Sequence, residues 1–484
     1  MSEPADPRQA STAISGPGPF RTLVEFLASL CLTVLVFRTF VAEAYIVPTG
    51  SMAPQLLGSH QDIACPHCGL TFSVGIDEEG RSARPVCVNC GWSDFAQALS
   101  IARCGDRLLV QKDLFQLREP RRWEAAVFQS PNEPGQAYVK RIVGLPKESI
   151  RIRDGDIWVN GRLARKSIEE MRAVRTLVFD NNCLPADGSG SPRWLSRRGP
   201  EKRALVSGWE RRENTLVHRA TPGLDDEMDW LIYRHWDSTT DGYGPIRDGN
   251  AYNGGDAESA NVARDLFLDA QIAVAQDVRS IVIRIQNGND RFRAVIPVNG
   301  HGAMTVKRED QTLEIEGGRG TLLSSSTKTP KFHRVEAAII DRRFAVAING
   351  ALAFAPVDYD DPKEESVEMI GGPIAIGALG GEVLVRDLKI YRDVYYTTRL
   401  SGVPVQARAA DAPFSLGEDE YFMLGDNSAL SHDSRFWSEH ATVKRDWLIG
   451  KPFLVHLPSQ MIPLQVFGRA TYWVPDPREI RYIR

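Results

Sequence analysis

The chain has 484 residues, 43% of them hydrophobic and 25% charged, with a formal net charge of −4. That length holds two or three domains and the composition is that of an ordinary globular protein. A small net charge with no long basic run excludes a nucleic-acid partner, and seven cysteines are too few for a scaffold built on disulfides.

Residues 1–19 are rich in Pro, Ser, Ala and Gly and have no apolar period, which predicts a disordered tail. Residues 20–42 read as an uncleaved, single-pass transmembrane anchor. Residues 22–37 are mostly apolar, broken by Glu25, Ser29 and Thr33 and fenced by Arg21 and Arg38. Sixteen helical residues span roughly 24 Å, short of a bilayer core of roughly 30 Å, and residues 39–42 supply the missing turn. A buried helix and a signal peptide cleaved after Ala44 are the alternatives.

Next comes Ile46-Val47-Pro48-Thr49-Gly50-Ser51-Met52-Ala53-Pro54, where a serine stands between a glycine and a methionine and is bracketed by prolines. Such a bracket holds one hydroxyl in a fixed direction. A C-x2-C-x18-C-x2-C pattern follows with Cys65, Cys68, Cys87 and Cys90, each pair followed by a glycine. Four thiolates at this spacing fit one tetrahedral structural zinc, so residues 60–103 read as a zinc ribbon; two disulfides are the alternative. Short apolar or alternating runs come after it. Residues 104–112 read as a turn running into a strand, 125–128 and 138–143 as strands, and residues 150–161 as a hairpin turning at Asp154-Gly155.

Residues 166–400 carry many further strand-like runs between turn signals, including a hairpin at Asn349-Gly350, and predict an inserted β-sandwich of the jelly-roll kind. Glycan or protein ligands are common for such folds, and a plain structural insert is the alternative. Its ends are expected to lie close together, so that it could be excised. After it come the strand 420–424 and Gly425-Asp426-Asn427-Ser428-Ala429-Leu430-Ser431-His432-Asp433-Ser434-Arg435.

The Ser51 stretch, Tyr138-Val139-Lys140-Arg141-Ile142-Val143-Gly144-Leu145-Pro146 and the Gly425–Arg435 stretch, in this order behind an apolar segment, resemble the type I signal peptidases. The resemblance implies a mainly β fold. Its catalytic core would comprise residues 43–59, 104–165 and 415–484, interrupted by the zinc ribbon and the sandwich. It implies Ser51 as nucleophile and Lys140 as general base, without a catalytic cofactor. Thr49 would assist the oxyanion hole, Ser431 would orient the lysine, and Asp433 with Arg435 would form a supporting ion pair beside Gly425, Asp426 and Asn427. The chemistry asks for a buried lysine, because one in water is charged near neutral pH. Two positions depart from the family pattern: Gln55 replaces a threonine, and Pro146-Lys147-Glu148 replaces Pro-Gly-Asp. The substrates implied are secretory preproteins, met at the membrane lipid with the catalytic domain outside the cytoplasm. The rival is an anchored surface-binding protein with a degenerate peptidase core.

Overall fold

The computed structural model describes residues 18–40, 42–77, 79–95, 101–185, 191–198, 206–224, 226–254, 261–300, 302–317, 323–325, 330–360, 372–400, 403–459, 461–466 and 470–483. The tail expected over residues 1–19 lies almost wholly outside them. The fold is mainly β, and three bodies of sheet surround the Ser51 stretch.

The first is an antiparallel sheet whose strands run in the order Ala42–Ile46, Arg107–Gln111, Leu448–Leu457, Ala125–Gln129, Ala137–Gly144, Glu420–Leu424 and Val443–Lys444. The Lys140 strand is therefore central, between Ala125–Gln129 and Glu420–Leu424. A smaller sheet carries the hairpin Ser149–Arg153 and Asp156–Val159. Asp154 and Gly155 both have positive φ (54° and 88°), as a tight hairpin turn requires. The strand Phe414–Ser415 joins this sheet from the far side of the insertion.

The second body is a pair of antiparallel sheets, one of nine strands and one of seven, built from residues 176–392. Their facing sides enclose a single apolar core running from Val178 to Ile390. The chain enters this pair of sheets along Thr176–Asp180 and leaves it along Val383–Arg392. These two strands pair, with Thr176 opposite Arg392, so the ends meet as expected. Asn349 and Gly350 (φ 51° and 87°) make the hairpin turn read from the sequence. The helix Ile168–Val174 starts with a capping box between Ser167 and Glu170. Its Ile168 and Met171 pack on the sandwich, whereas Val174 packs against Ile150, Ile157 and Phe422 of the first body. Beside it the buried Lys166 ammonium bonds Asp341 at 3.0 Å and Asp393 at 2.8 Å and sits 4.3 Å from the Trp123 ring. Burial alone would lower its pKa, but the two carboxylates raise it well above the ordinary value, so it stays charged.

The third body is a three-stranded sheet of Thr71–Gly75, His60–Ala64 and Ile101–Arg103, which carries the cysteines.

The anchor is the expectation that the structure corrects. Pro19–Phe40 is a helix of 22 residues, yet among the described residues no helix is long and apolar enough to cross a membrane. The helix carries charge within its first two turns, where Arg21 donates to Glu25 at 2.7 Å, and hydroxyls at Thr22, Ser29 and Thr33 dilute its apolar surface.

Candidate active site

Ser51 lies in a single 3₁₀ turn, Gly50–Met52. The turn is pinned from beneath: Met52 and Leu56 are buried with Val47, Leu108, Val110 and Val127. Ser51 itself is 8% exposed. Lys140 Nζ donates to Ser51 Oγ at 2.5 Å, across 89 residues of sequence. Burial pushes the Lys140 ammonium down to about 8; Asp433 opposes this shift and Arg435 adds to it. The next residue points to the opposite face of the strand, as pleating demands. Arg141 forks onto Asp426 through bonds of 2.6 and 2.5 Å, and both side chains are buried.

Asp426 is thus partnered by Arg141, a pair that no motif in the sequence announces. Its one signal is a second cation directly after the lysine. Asp433 and Arg435 form the expected ion pair, with two bonds of 2.8 Å and no exposure. Burial alone would raise the Asp433 carboxyl, but Arg435 and the Gly425 amide hold it below its ordinary value. Arg435 also reaches Ser428 Oγ and the Thr397 carbonyl, each at 2.6 Å. Thr49 stands beside Ser51, with Oγ1 at 3.5 Å from Ser51 Oγ, the outer limit of a hydrogen bond. Ser431 is fully buried, but among the described residues its Oγ makes no hydrogen bond of good geometry, so the expected bond to Lys140 is not formed. It is packed instead against Gly425, where a Cβ would stand 2.2 Å from Ser431 Oγ and 2.4 Å from Ser51 O.

The insertion also reaches this loop. The Tyr252 ring packs on Ala53 and Leu57, and its hydroxyl donates to Ser59 O at 2.6 Å. A Cβ on Gly50 would lie 1.9 Å from that ring, and one on Gly75 2.3 Å, so both positions need glycine. Asn250 donates to Ala53 O at 3.2 Å. Asn427 donates to Gly50 O at 2.9 Å and exchanges two side-chain bonds, of 2.7 and 2.8 Å, with Asn253. Gln55, one of the departures from the family pattern, donates to Arg175 O at 2.7 Å, at the start of the insertion. At the other departure Lys147 has φ 68°, a conformation that glycine would take without strain. A cleft of about 1160 Å³ opens beside residues 48–50. Its walls come from the cysteine-bearing sheet (Asp77, Arg81), the insertion (Asn253, Tyr395) and the Leu430 turn.

The four cysteines lie together, every Sγ within 4.8 Å of the others, with Cys65–Cys90 and Cys68–Cys87 both at 3.6 Å. No disulfide joins them. A tetrahedral ion with bonds of about 2.3 Å to sulfur needs edges of about 3.8 Å, so the donor set fits zinc. The two knuckles repeat one geometry: Gly69 N donates to Cys65 O and Gly91 N to Cys87 O, with φ of 77° and 79° at the glycines. Asn89 in the second knuckle accepts from Asp180 N at 2.7 Å, which ties the cysteines to the sandwich.

The family model of signal peptidase, peptidase S26, matches residues 100–206 and 345–457, on either side of an unmatched middle. Among curated proteins, the chain is 26% identical over 165 residues to probable signal peptidase I-2 of Synechocystis sp., covering 32% of this chain and 54% of that protein. It is 28% identical over 137 residues to signal peptidase I of Pseudomonas aeruginosa, covering 28% and 36%. It is 26% identical over 222 residues to signal peptidase I of Leptolyngbya laminosa, covering 41% and 86%. The chain thus spans about half of the first of these relatives and about a third of the second. Over those two matched stretches, which hold Lys140 but not Ser51, the chain is similar to the signal peptidase family, peptidase S26.

Proposed function

We propose that the protein is a serine endopeptidase that removes signal peptides from secretory preproteins with a Ser51–Lys140 dyad. The contact that carries this reading is the 2.5 Å bond between the buried Lys140 Nζ and Ser51 Oγ. With its pKa lowered to about 8, Lys140 has a neutral fraction at working pH that a solvated lysine lacks. The neutral amine takes the Ser51 proton as Oγ attacks the scissile carbonyl carbon, and the carbonyl electron pair moves to oxygen. Collapse of that intermediate expels the amine of the C-terminal product, which receives the proton from the Lys140 ammonium. Water, deprotonated by Lys140 in its turn, then releases the acyl product. Thr49 Oγ1 stands where it can assist an oxyanion hole. The ion pair of Asp433 with Arg435 and that of Asp426 with Arg141 hold the surrounding backbone. No cofactor takes part.

Ser51→Ala should abolish cleavage of a preprotein and labelling by a fluorophosphonate, and kcat should rise with pH to a plateau above about 8. Turnover by the alanine variant, or a pH profile flat from 6 to 9, rejects the dyad.

The helix Pro19–Phe40 exposes Phe20, Leu23, Phe26, Leu27 and Leu30 to solvent. An apolar surface of this kind supports association with membrane lipid, where signal peptides emerge. The sandwich is assigned no glycan or protein ligand.

The cysteine cluster is assigned a structural zinc: four sulfurs leave no open position for chemistry. Purified protein should carry one zinc per chain, and chelation should free the four thiols of the cluster. Because the knuckles grip the sandwich through Asn89, chelation should lower thermal stability ahead of kcat. Metal-free protein with an unchanged Tm removes the assignment.

A further inference from the structure

We propose that the inserted sandwich is part of the catalytic apparatus, with Asn253 as a positioning residue for the nucleophile. The proposal rests on the dyad reading above and adds to it. Within itself the Ser51 loop is held by the backbone bonds Leu56 N to Met52 O and Ser59 N to Pro48 O. Its first turn closes through a single backbone bond, Ala53 N to Gly50 O. The same Gly50 carbonyl accepts from Asn427 Nδ2, and Asn427 N donates to Ser51 O, so one residue grips the backbone on both sides of the nucleophile. The insertion adds a side-chain hold on Asn427 to those of the loop itself. Asn253 supplies both a donor and an acceptor to the Asn427 amide, fixing it together with the Gly50 carbonyl.

Around this pair the insertion holds the rest of the loop. Asn250 takes Ala53 O, Tyr252 takes Ser59 O, and the Tyr252 ring fills the space left open by Gly50 and Gly75. Gln55 reaches across to Arg175 O. An appendage would leave the loop and touch the core elsewhere. This one contacts the loop from Gly50 to Ser59 at successive points, and Asn253 also lines the cleft. A shift of about 1 Å in a reacting group costs on the order of 100-fold in rate. Holding Ser51 in place is therefore a large share of what this site needs.

The test uses the full chain carrying Asn253→Ala or the isosteric Asn253→Asp, with a signal-peptide substrate. Both variants should lose about 10- to 100-fold in kcat while KM changes less than twofold. The midpoint of the kcat–pH profile should stay where it is, since Lys140 is untouched, and Tm should remain within about two degrees of the parent. Unchanged kcat in both variants overturns the proposal. So does a fall in kcat matched by a fall in Tm in both, which would make the contact merely structural. If the parent chain itself cleaves no signal peptide and Ser51 takes no acylating probe, the dyad reading fails instead, and the two failures are distinguishable.

Discussion

Lys140→Met should abolish cleavage and at the same time make the protein harder to unfold. The loss of activity follows from the base: without it, Ser51 keeps its proton, and dyad variants of this kind fall by ~10⁴-fold or more. The gain in stability follows from burial. Lys140 is fully enclosed, and its pKa drops from 10.5 unfolded to about 8 folded. The unfolded chain therefore binds more protons between these values, so stability rises with pH across that window. Below pH 8 the buried lysine costs the folded state roughly 3 kcal/mol, at about 1.4 kcal/mol for each tenfold loss of proton affinity. A methionine of similar shape removes that cost. Urea unfolding at pH 7 should show the variant more stable by up to about 3 kcal/mol, with the gain shrinking as pH climbs toward 10. Ser51→Ala is the control: it abolishes cleavage and leaves the lysine and its cost in place. A Lys140→Met protein that is no more stable than Ser51→Ala at pH 7 would show that the lysine is not desolvated as described.

Replacing residues 175–398 by a short Gly/Ser linker should eliminate most of the activity, by on the order of 100-fold in kcat/KM or more. Read from the sequence, the insertion looks removable. Its ends meet at the Thr176–Arg392 pairing, and its core from Val178 to Ile390 belongs to the sandwich alone, so the excised piece should fold as an all-β unit. The damage falls on what is left behind. The deletion takes away Asn250, Tyr252 and Asn253 from the nucleophile loop and the Arg175 carbonyl from Gln55. It removes Val394 and Tyr396 from the apolar cluster behind Phe422 and Leu424, and the Thr397 carbonyl from Arg435. Cleavage by the deletion variant within about threefold of the parent would restore the insertion to the status of a passenger. Circular dichroism of both pieces separates lost folding from lost alignment.

The parts legible in the sequence are those whose chemistry is local. Serine between glycine and methionine, the lysine in its apolar strand, the four cysteines and the turns at Asp154-Gly155 and Asn349-Gly350 each carry their meaning within a few residues. The Asp433–Arg435 fork is legible for the same reason, its partners standing two positions apart. Asn250, Tyr252 and Asn253 are not, because an asparagine or a tyrosine in a loop has no period and belongs to no motif. Their trace in the sequence is indirect: two glycines, Gly50 and Gly75, that leave space for one ring, and a glutamine at position 55 where the family has threonine. The apolar N-terminal run invites over-reading. Its length approaches that of a bilayer span, while the Arg21–Glu25 pair and the hydroxyl residues inside it weigh against one.

The bond from Asn427 to Gly50 joins residues 377 positions apart. At the usual pace of roughly 5 to 20 residues per second, a ribosome finishes the second partner about 20 to 75 seconds after the first. For most of that interval Ser51 and Lys140 already exist on the growing chain, but the turn that holds the serine lacks its clamp. On the proposed dyad, the growing chain cannot cleave efficiently until residue 427 has been made and the clamp can close.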